Sequence, residues 1–275
     1  MLEVTNEATF TRIQHMDRLL FATYSLRDLV THRQWAEQYG CGLELHTFVD
    51  PAVLAGDVSG MIAAHRRLLE DFTGPLGFHG AFYDMMSGSI DAGVVELTRQ
   101  RYRQNLLVAK ALQGQYVVFH ANYMGSFKLL NYREGWHERQ VRFWRSFAEE
   151  AQDSALCVLL ENMWADDPQI IADILQDIDH PNLRACLDIA HVMLYSRHTV
   201  GKWIDTLQPW LYSCHLNNTN GEHDVHWPLQ QGIINYGVVL EKLRRLKEPP
   251  CMTLEMPDWS TIAESLAFFD LGGHG

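Results

Sequence analysis

The chain has 275 residues, 47% of them hydrophobic and 20% charged, and a formal net charge of −12. That apolar fraction excludes a disordered chain, and no apolar stretch approaches the roughly 18 residues of a membrane span. The acidic balance disfavours a partner held mainly through its phosphates, so nucleic acid is not expected.

Residues 1–17 read as an N-terminal extension or a short helix, followed by a first strand over 19–23 and a helix over 31–39. Gly42-Leu43-Glu44 is a short apolar run, and the acidic, apolar stretch 47–57 reads as a loop. A helix over 59–72 has Met61, Ile62, Leu68 and Leu69 on its inner face, and the run Leu76-Gly77-Phe78-His79 follows. A helix over 94–112, with Leu97, Leu106 and Leu107 at helical spacing, leads to Val117-Val118-Phe119-His120. Next come a helix over 135–151 with Phe143 and Phe147, then Val158-Leu159-Leu160-Glu161. Pro168 opens the next helix at a tolerated first-turn position, with Ile170, Ile171, Ile174 and Leu175 as its buried stripe, and Ala185-Cys186-Leu187-Asp188 follows. Helices over 200–207, 238–246 and 262–269 alternate with the runs Ser213-Cys214-His215 and Thr253-Leu254-Glu255.

Alternation of short apolar runs with helical patterns of about 15 residues is the signature of parallel βαβ units. Neither G-x-G-x-x-G nor G-x-x-x-x-G-K-[ST] occurs, so no glycine-rich phosphate turn marks a doubly wound sheet. The expected fold is α/β: a single (β/α)8 TIM barrel spanning residues 1–275, a length suited to that architecture. Five cysteines, Cys41, Cys157, Cys186, Cys214 and Cys251, show no C-x-x-C spacing and read as small buried thiols in a reducing compartment. Met1-Leu2-Glu3-Val4-Thr5-Asn6-Glu7 lacks a basic start or an apolar core. The expected location is the cytoplasm.

Seven of the runs stop on a residue that binds metal or moves a proton: Glu44, His79, His120, Glu161, Asp188, His215 and Glu255. Parallel strands side by side would bring these groups to one end of the sheet. Glu161, Asp188, His215 and Glu255 form the strongest set. Three carboxylates and an imidazole without nearby Lys or Arg would repel one another unless a cation joins them. The oxygen-rich set suits Mn²⁺, Mg²⁺ or Co²⁺, and Zn²⁺ is compatible. His191, just beyond its strand, adds an imidazole, and Asp224-Val225-His226 gives an alternating pair or a polar turn. Glu44 is assigned no metal role and reads as a substrate contact or a buried ion-pair member. His46, His65, His137, His180, His198 and His274 read as ordinary polar surface. Phe82, Tyr83, Met85, Met86, Tyr123, Met124, Phe127, Trp164 and Trp227 enrich the mouth loops in bulky apolar groups, suited to walling a sugar or to packing loop on barrel.

Leu160-Glu161-Asn162, Leu187-Asp188-Ile189-Ala190-His191, His215-Leu216-Asn217, the run from Asn220 to Leu229 and Leu254-Glu255 together resemble the xylose isomerase-like TIM barrel superfamily. That group includes sugar and sugar-phosphate isomerases and epimerases and, as a separate branch, endonuclease IV. The epimerase branch implies one divalent metal on Glu161, Asp188, His215 and Glu255, with Glu161 and Glu255 also moving protons through a metal-stabilised enediolate. His191, Trp164 and His226 are then substrate-binding candidates. The endonuclease IV branch implies three zinc ions and adds His79, His120, His191, Asp224 and His226 as ligands, for cleavage at an abasic site. Three features favour the isomerase-like branch: Met163-Trp164-Ala165-Asp166-Asp167 replaces a glycine-rich stretch of endonuclease IV, the mouth loops are poor in basic residues, and the Asn-Gly-Glu-x-Asp-x-His-x-Pro-Leu run from Asn220 to Leu229 resembles that branch. Asn218, Gln230 and Gln231 depart from the usual pattern of relatives. The leading expectation is a metal-dependent sugar or sugar-phosphate isomerase or epimerase. An endonuclease IV-like zinc enzyme comes second, and a sugar- or metal-binding barrel without turnover third. A homo-oligomer paired through rim loops fits the resemblance, and Arg133, Lys128 and Arg197 are the basic residues available to a phosphate.

Overall fold

A computed structural model describes residues 18–127 and 129–271. The expected extension over 1–17, Lys128 and His274 lie outside the described residues. Eight parallel strands close in sequence order into a barrel: β1 Leu19–Thr23, β2 Gly42–Leu45, β3 Leu76–His79, β4 Tyr116–His120, β5 Cys157–Glu161, β6 Leu183–Asp188, β7 Leu211–Leu216 and β8 Cys251–Leu254. The expected (β/α)8 barrel is the fold observed.

Helices fill the crossovers: α1 Leu26–Tyr39, α2 Pro51–Ala55, α3 Val58–Leu68, α4 Ala92–Ala111, α5 Tyr132–Gln152, α6 Gln169–Ile178, α7 Ile189–Tyr195, α8 Val200–Leu207, α9 Tyr236–Arg244 and α10 Trp259–Ser265. Helix α1 begins earlier than the apolar pattern suggests because Ser25 caps it, its hydroxyl accepting from Asp28 N. Pro168 stands at the N-cap of α6, one place ahead of the first turn. The stretch 47–57 is not an irregular loop. It holds a 3-10 turn, Thr47–Val49, and α2, whose start combines the Asp50 cap with Pro51 at the first position. Among the described residues no helix is long and apolar enough to cross a membrane.

Strand alternation divides the side chains into two sets. One set, including Phe21, Leu43, Phe78, Phe119, Leu160, Leu187 and Leu254, joins the large core between strands and helices. The other fills the barrel: Leu20, Tyr116, Val118, Leu159, Cys186 and Cys251 form a separate buried cluster. Four of those inner columns run on, two residues at a time, to the chemistry-bearing groups. Val118 precedes His120, Leu159 precedes Glu161, Cys186 precedes Asp188, and Cys251 precedes Thr253 and Glu255. Pairing of His120 with Glu161 and of Asp188 with His215 levels these groups across adjacent strands. Gly77 belongs to the same scheme, since a Cβ there would overlap the Tyr116 phenol.

Candidate metal centre at the barrel mouth

Glu44, His79, His120, Glu161, Asp188, His191, His215 and Glu255 are all buried at the C-terminal end of the strands. Glu161 lies at the middle of the group. Its Oε2 is 3.3 Å from His79 Nε2, 3.2 Å from His120 Nε2 and 3.7 Å from His215 Nδ1, and its Oε1 is 3.0 Å from His191 Nδ1. Glu255 Oε2 approaches the same His215 Nδ1 at 3.2 Å. Among the described residues three ligand sets are compact enough to hold an ion: Glu161, Asp188 and His215; His79, His120 and Glu161; and His79, His215 and Glu255.

Local structure fixes Asp188. As N-cap of α7 its Oδ1 accepts from His191 N at 2.6 Å, while Asn217 Nδ2 donates to Oδ2 at 3.1 Å. Asn162 braces the strand end, donating to Asp188 O at 3.0 Å and accepting from Asp188 N at 2.7 Å. The same cap places His191 on the first turn of α7, a helix too short for periodicity to announce. Its Nε2 lies 3.3 Å from Asp224 Oδ2, and Asp224 Oδ1 lies 3.3 Å from His226 Nε2. His226 Nδ1 donates to Glu255 O at 2.7 Å. The Asp224-Val225-His226 segment therefore closes over the carboxylates.

The electrostatics show how crowded the charges are. Burial, opposed by His191, and then Glu255, Glu161 and Asp224 push Asp188 up to about 7. Burial also works against ionisation of Glu161 and Glu255, yet neighbouring imidazoles outweigh it. His120 and His215 hold Glu161 well below the usual range, and His215 and His226 bring Glu255 to about 2. Burial opposes protonation of His226, but Glu255 and Asp224 raise it to about 9. The donor set fits a divalent cation: oxygen-rich, with imidazole beside it. Nδ1 of His215, on the side of Glu161 and Glu255, is buried without an in-line hydrogen-bond partner, as is Nδ1 of His191, and an unsatisfied buried nitrogen beside carboxylates suits a metal ligand.

His46 and His65 are buried, not surface residues. His46 stands two positions beyond Glu44 and so points into the barrel with it. Its Nε2 is 2.9 Å from Glu44 Oε1 and its Nδ1 3.8 Å from Glu255 Oε1. His65 Nδ1 donates to Met61 O at 2.8 Å and its Nε2 lies 3.2 Å from Thr47 Oγ1, tying α3 to the 3-10 turn. His137, His180 and His198 are half-buried. Glu44 is a buried ion-pair member rather than an open substrate contact. The Gly42, Glu44, His46 alternation was the available signal for the inward aim of His46.

The loop residues divide. Met85 and Tyr123 are buried in the packing, whereas Tyr83, Phe127, Trp164 and Trp227 remain exposed at the rim. Phe82 stacks on the His120 ring at 4.9 Å and meets the His79 ring edge-on at 5.4 Å, covering that side of the cluster. A cavity of about 540 Å³ adjoins the mouth, lined among others by Tyr24, Arg27, His46, Asp50 and Tyr83. Arg197 pairs with Asp166 at 2.9 Å and Arg133 with Asp173 at 3.3 Å, so neither presents a free cation. Asn218 clamps the loop after β7, donating to Leu229 O and Ile234 O, and Gln230 and Gln231 bond Glu264 on the exterior.

The family model described as xylose isomerase-like TIM barrel matches residues 34–271. The chain belongs to that family. It is 27% identical over 189 residues to "Uncharacterized protein MJ1311" of Methanocaldococcus jannaschii, a match covering 64% of this chain and 62% of that protein's length. The solved TTHB071 protein from Thermus thermophilus, from a crystal soaked with ZnCl2, is 26% identical with a TM-score of 0.73, covering 93% of this chain and 98% of that one. A D-tagatose 3-epimerase-like protein shares the fold at 20% identity and a TM-score of 0.75, over 93% and 98% of the two chains. Structural neighbours include further epimerases and an AP endonuclease of family 2.

Proposed function

We propose that the protein is a divalent-metal-dependent isomerase or epimerase of a small sugar or sugar phosphate. The observation that carries this reading is the approach of two buried carboxylates, Glu161 and Glu255, to one ring nitrogen of His215; Asp188 joins Glu161 and His215 in one compact set, and Glu255 joins His215 and His79 in another. Glu161, Asp188, His215 and Glu255 would hold the cation. Bound there, it would polarise a substrate carbonyl and lower the cost of losing the neighbouring proton. The rest of the work falls to the chain. Glu161 and Glu255 both lie below the usual carboxylate range, so one carboxylate takes the α-proton and later releases it to solvent, while the other first takes up a proton from solvent and then delivers it to carbon. Return to the opposite face of the same carbon gives the epimer; return to the neighbouring carbon gives the aldose-ketose isomer. His191, already hydrogen-bonded on its main chain to Asp188, presents its ring to substrate oxygens, with His226 beside it and Trp164 walling the mouth. The adjoining cavity falls within the usual range for small-molecule pockets of about 300–1,000 Å³, and Phe82 covers the His79 and His120 side of the cluster.

A test is incubation with a panel of sugars and sugar phosphates and Mn²⁺ in heavy water. Deuterium entering the carbon next to the carbonyl supports the reading. A protein that binds a sugar and leaves every α-hydrogen in place is a receptor instead.

The His79, His120, Glu161 set and the linked His191, Asp224, His226 group favour a second reading, a multinuclear zinc hydrolase of phosphodiesters. The charge of −12 and the engagement of Arg133 and Arg197 by carboxylates count against a long nucleic-acid partner. Metal analysis separates the two: three tightly held zinc ions support the hydrolase, and one exchangeable Mn²⁺ or Co²⁺ the isomerase. Substituting His191→Asn should spare a mononuclear site and strip an ion from a multinuclear one.

A further inference from the structure

Four buried groups converge on Glu44, a residue with no part in the proton transfers above. On its Oε2, Tyr116 Oη donates at 2.6 Å and Thr253 Oγ1 at 3.0 Å. On its Oε1, His46 Nε2 lies at 2.9 Å and His215 Nε2 at 3.0 Å. Glu44 is fully buried, so its carboxylate has no water to turn towards and these neighbours hold it in place. The His215 contact has hydrogen-bond length without in-line geometry, and a small turn of the ring completes it. The opposite nitrogen of that ring, Nδ1, faces Glu161 and Glu255.

We propose that Glu44 is the positioning residue of the metal centre: it accepts the Nε2 proton of His215 and so commits Nδ1, as a lone pair, to the cation. A histidine binds metal through one nitrogen only if the proton on the other is placed, and a carboxylate partner does this while raising the basicity of the ring. The support reaches down the barrel. Gly77 leaves room for the Tyr116 phenol, Tyr116 and Thr253 fix one oxygen of Glu44, and the other oxygen is thereby aimed at His46 and His215. His46 contributes a donor from the side and so limits rotation of the carboxylate.

This inference rests on the cation reading but not on the choice of reaction. The test uses the full chain with Zn²⁺, a diamagnetic probe, and two readouts without substrate: Zn²⁺ affinity by competition titration, and the His215 Nε2 proton in the nuclear magnetic resonance spectrum of the loaded protein. Glu44→Gln should weaken Zn²⁺ binding about 10–100-fold and move that proton resonance upfield or lose it to exchange, while backbone amide shifts away from the mouth stay in place. Thr253→Val, which keeps the carboxylate and removes one of its donors, should weaken binding less and in the same direction; it carries the test should Glu44→Gln fail to fold. Glu44→Gln or Thr253→Val with wild-type affinity and an unmoved resonance overturns the proposal. Wild-type protein that takes up no Zn²⁺ at His215 overturns the cation reading and this one with it. Protein that binds Zn²⁺ through His215 but exchanges no α-hydrogen overturns only the isomerase assignment.

Discussion

The foot and the mouth of the barrel are built from the same inward-facing columns and differ in what those columns carry. At the foot Leu20, Val118, Leu159, Cys186 and Cys251 pack with Tyr116 in a buried apolar cluster. At the mouth, one or two steps along the same strands, His120, Glu161, Asp188 and Glu255 are equally buried. Apolar side chains at the foot gain by leaving water. Carboxylates at the mouth lose by it unless something neutralises them, as the rise of Asp188 to about 7 records. The foot therefore supplies the stability with which the mouth can be held in an arrangement useful for chemistry rather than for folding.

Substitutions in the two layers should separate along that line. The largest effect belongs to the mouth: Glu161→Gln or Glu255→Gln should cost about 10²–10⁴-fold in turnover, the usual contribution of a positioned acid or base, with the thermal transition still cooperative. The measurement is α-hydrogen exchange beside a melting curve. One layer down, Leu159→Ala should cost about 2–5 kcal/mol of stability, as buried leucines do when a cavity is left, with turnover per folded molecule retained. If Leu159→Ala instead abolishes turnover in protein that is still folded, the two layers are not separable.

A cation should reconcile the layers. At a hundredfold excess over its dissociation constant it should stabilise the protein by about 2.7 kcal/mol. At one fixed cation concentration the gain should be larger at pH 8 than at pH 5.5, because the dissociation constant falls as the pH rises, for a reason whose sign follows from Asp188. Its folded pKa of about 7 is raised above the ordinary aspartate value of 3.8, so the stability it lends is complete below about 3.8 and is lost as the pH climbs through 7. Metal-free protein is thus weakened by this group in the range where the carboxylate is free to ligate, and a cation there meets no competing proton on Asp188. Thermal shifts with Mn²⁺ at the two pH values measure the difference. An equal shift at both would mean that Asp188 does not ligate.

Much of this layout was legible because the chemistry-bearing groups end strands, where a short apolar run followed by Glu, Asp or His stands out without any knowledge of neighbours. The closed barrel followed from the regular alternation, and Glu161, Asp188 and His215 are brought into one compact set. What stayed hidden depends on geometry that periodicity does not carry. Helix α7 has seven residues, fewer than two turns need to display a stripe. His46 lies past the end of β2, and only strand parity places it with Glu44 rather than at the surface. His65 is one imidazole on an amphipathic helix, buried because Thr47 offers its Nε2 a partner 18 residues away in sequence. The four-way contact of Glu44 joins β2, β4, β7 and β8 with His46 just past β2, and only closure of the sheet brings those strands together.

The smallest expected effect concerns the rim, where the contrast between stability and function reaches a single backbone angle. Trp164 has φ +60 and His226 φ +50, left-handed conformations that bulky side chains adopt at a cost of about 1–3 kcal/mol. Trp164 is also 38% exposed, so its indole recovers only part of that cost by burial. Trp164→Gly removes the strain and the partial burial together, and glycine enters the left-handed region freely. If the indole is there to wall a substrate, the variant should melt within about 1 kcal/mol of wild type on either side while KM rises severalfold and kcat changes less. A loss of more than about 3 kcal/mol with KM intact would give Trp164 to loop packing, and the rim would then belong energetically with the foot.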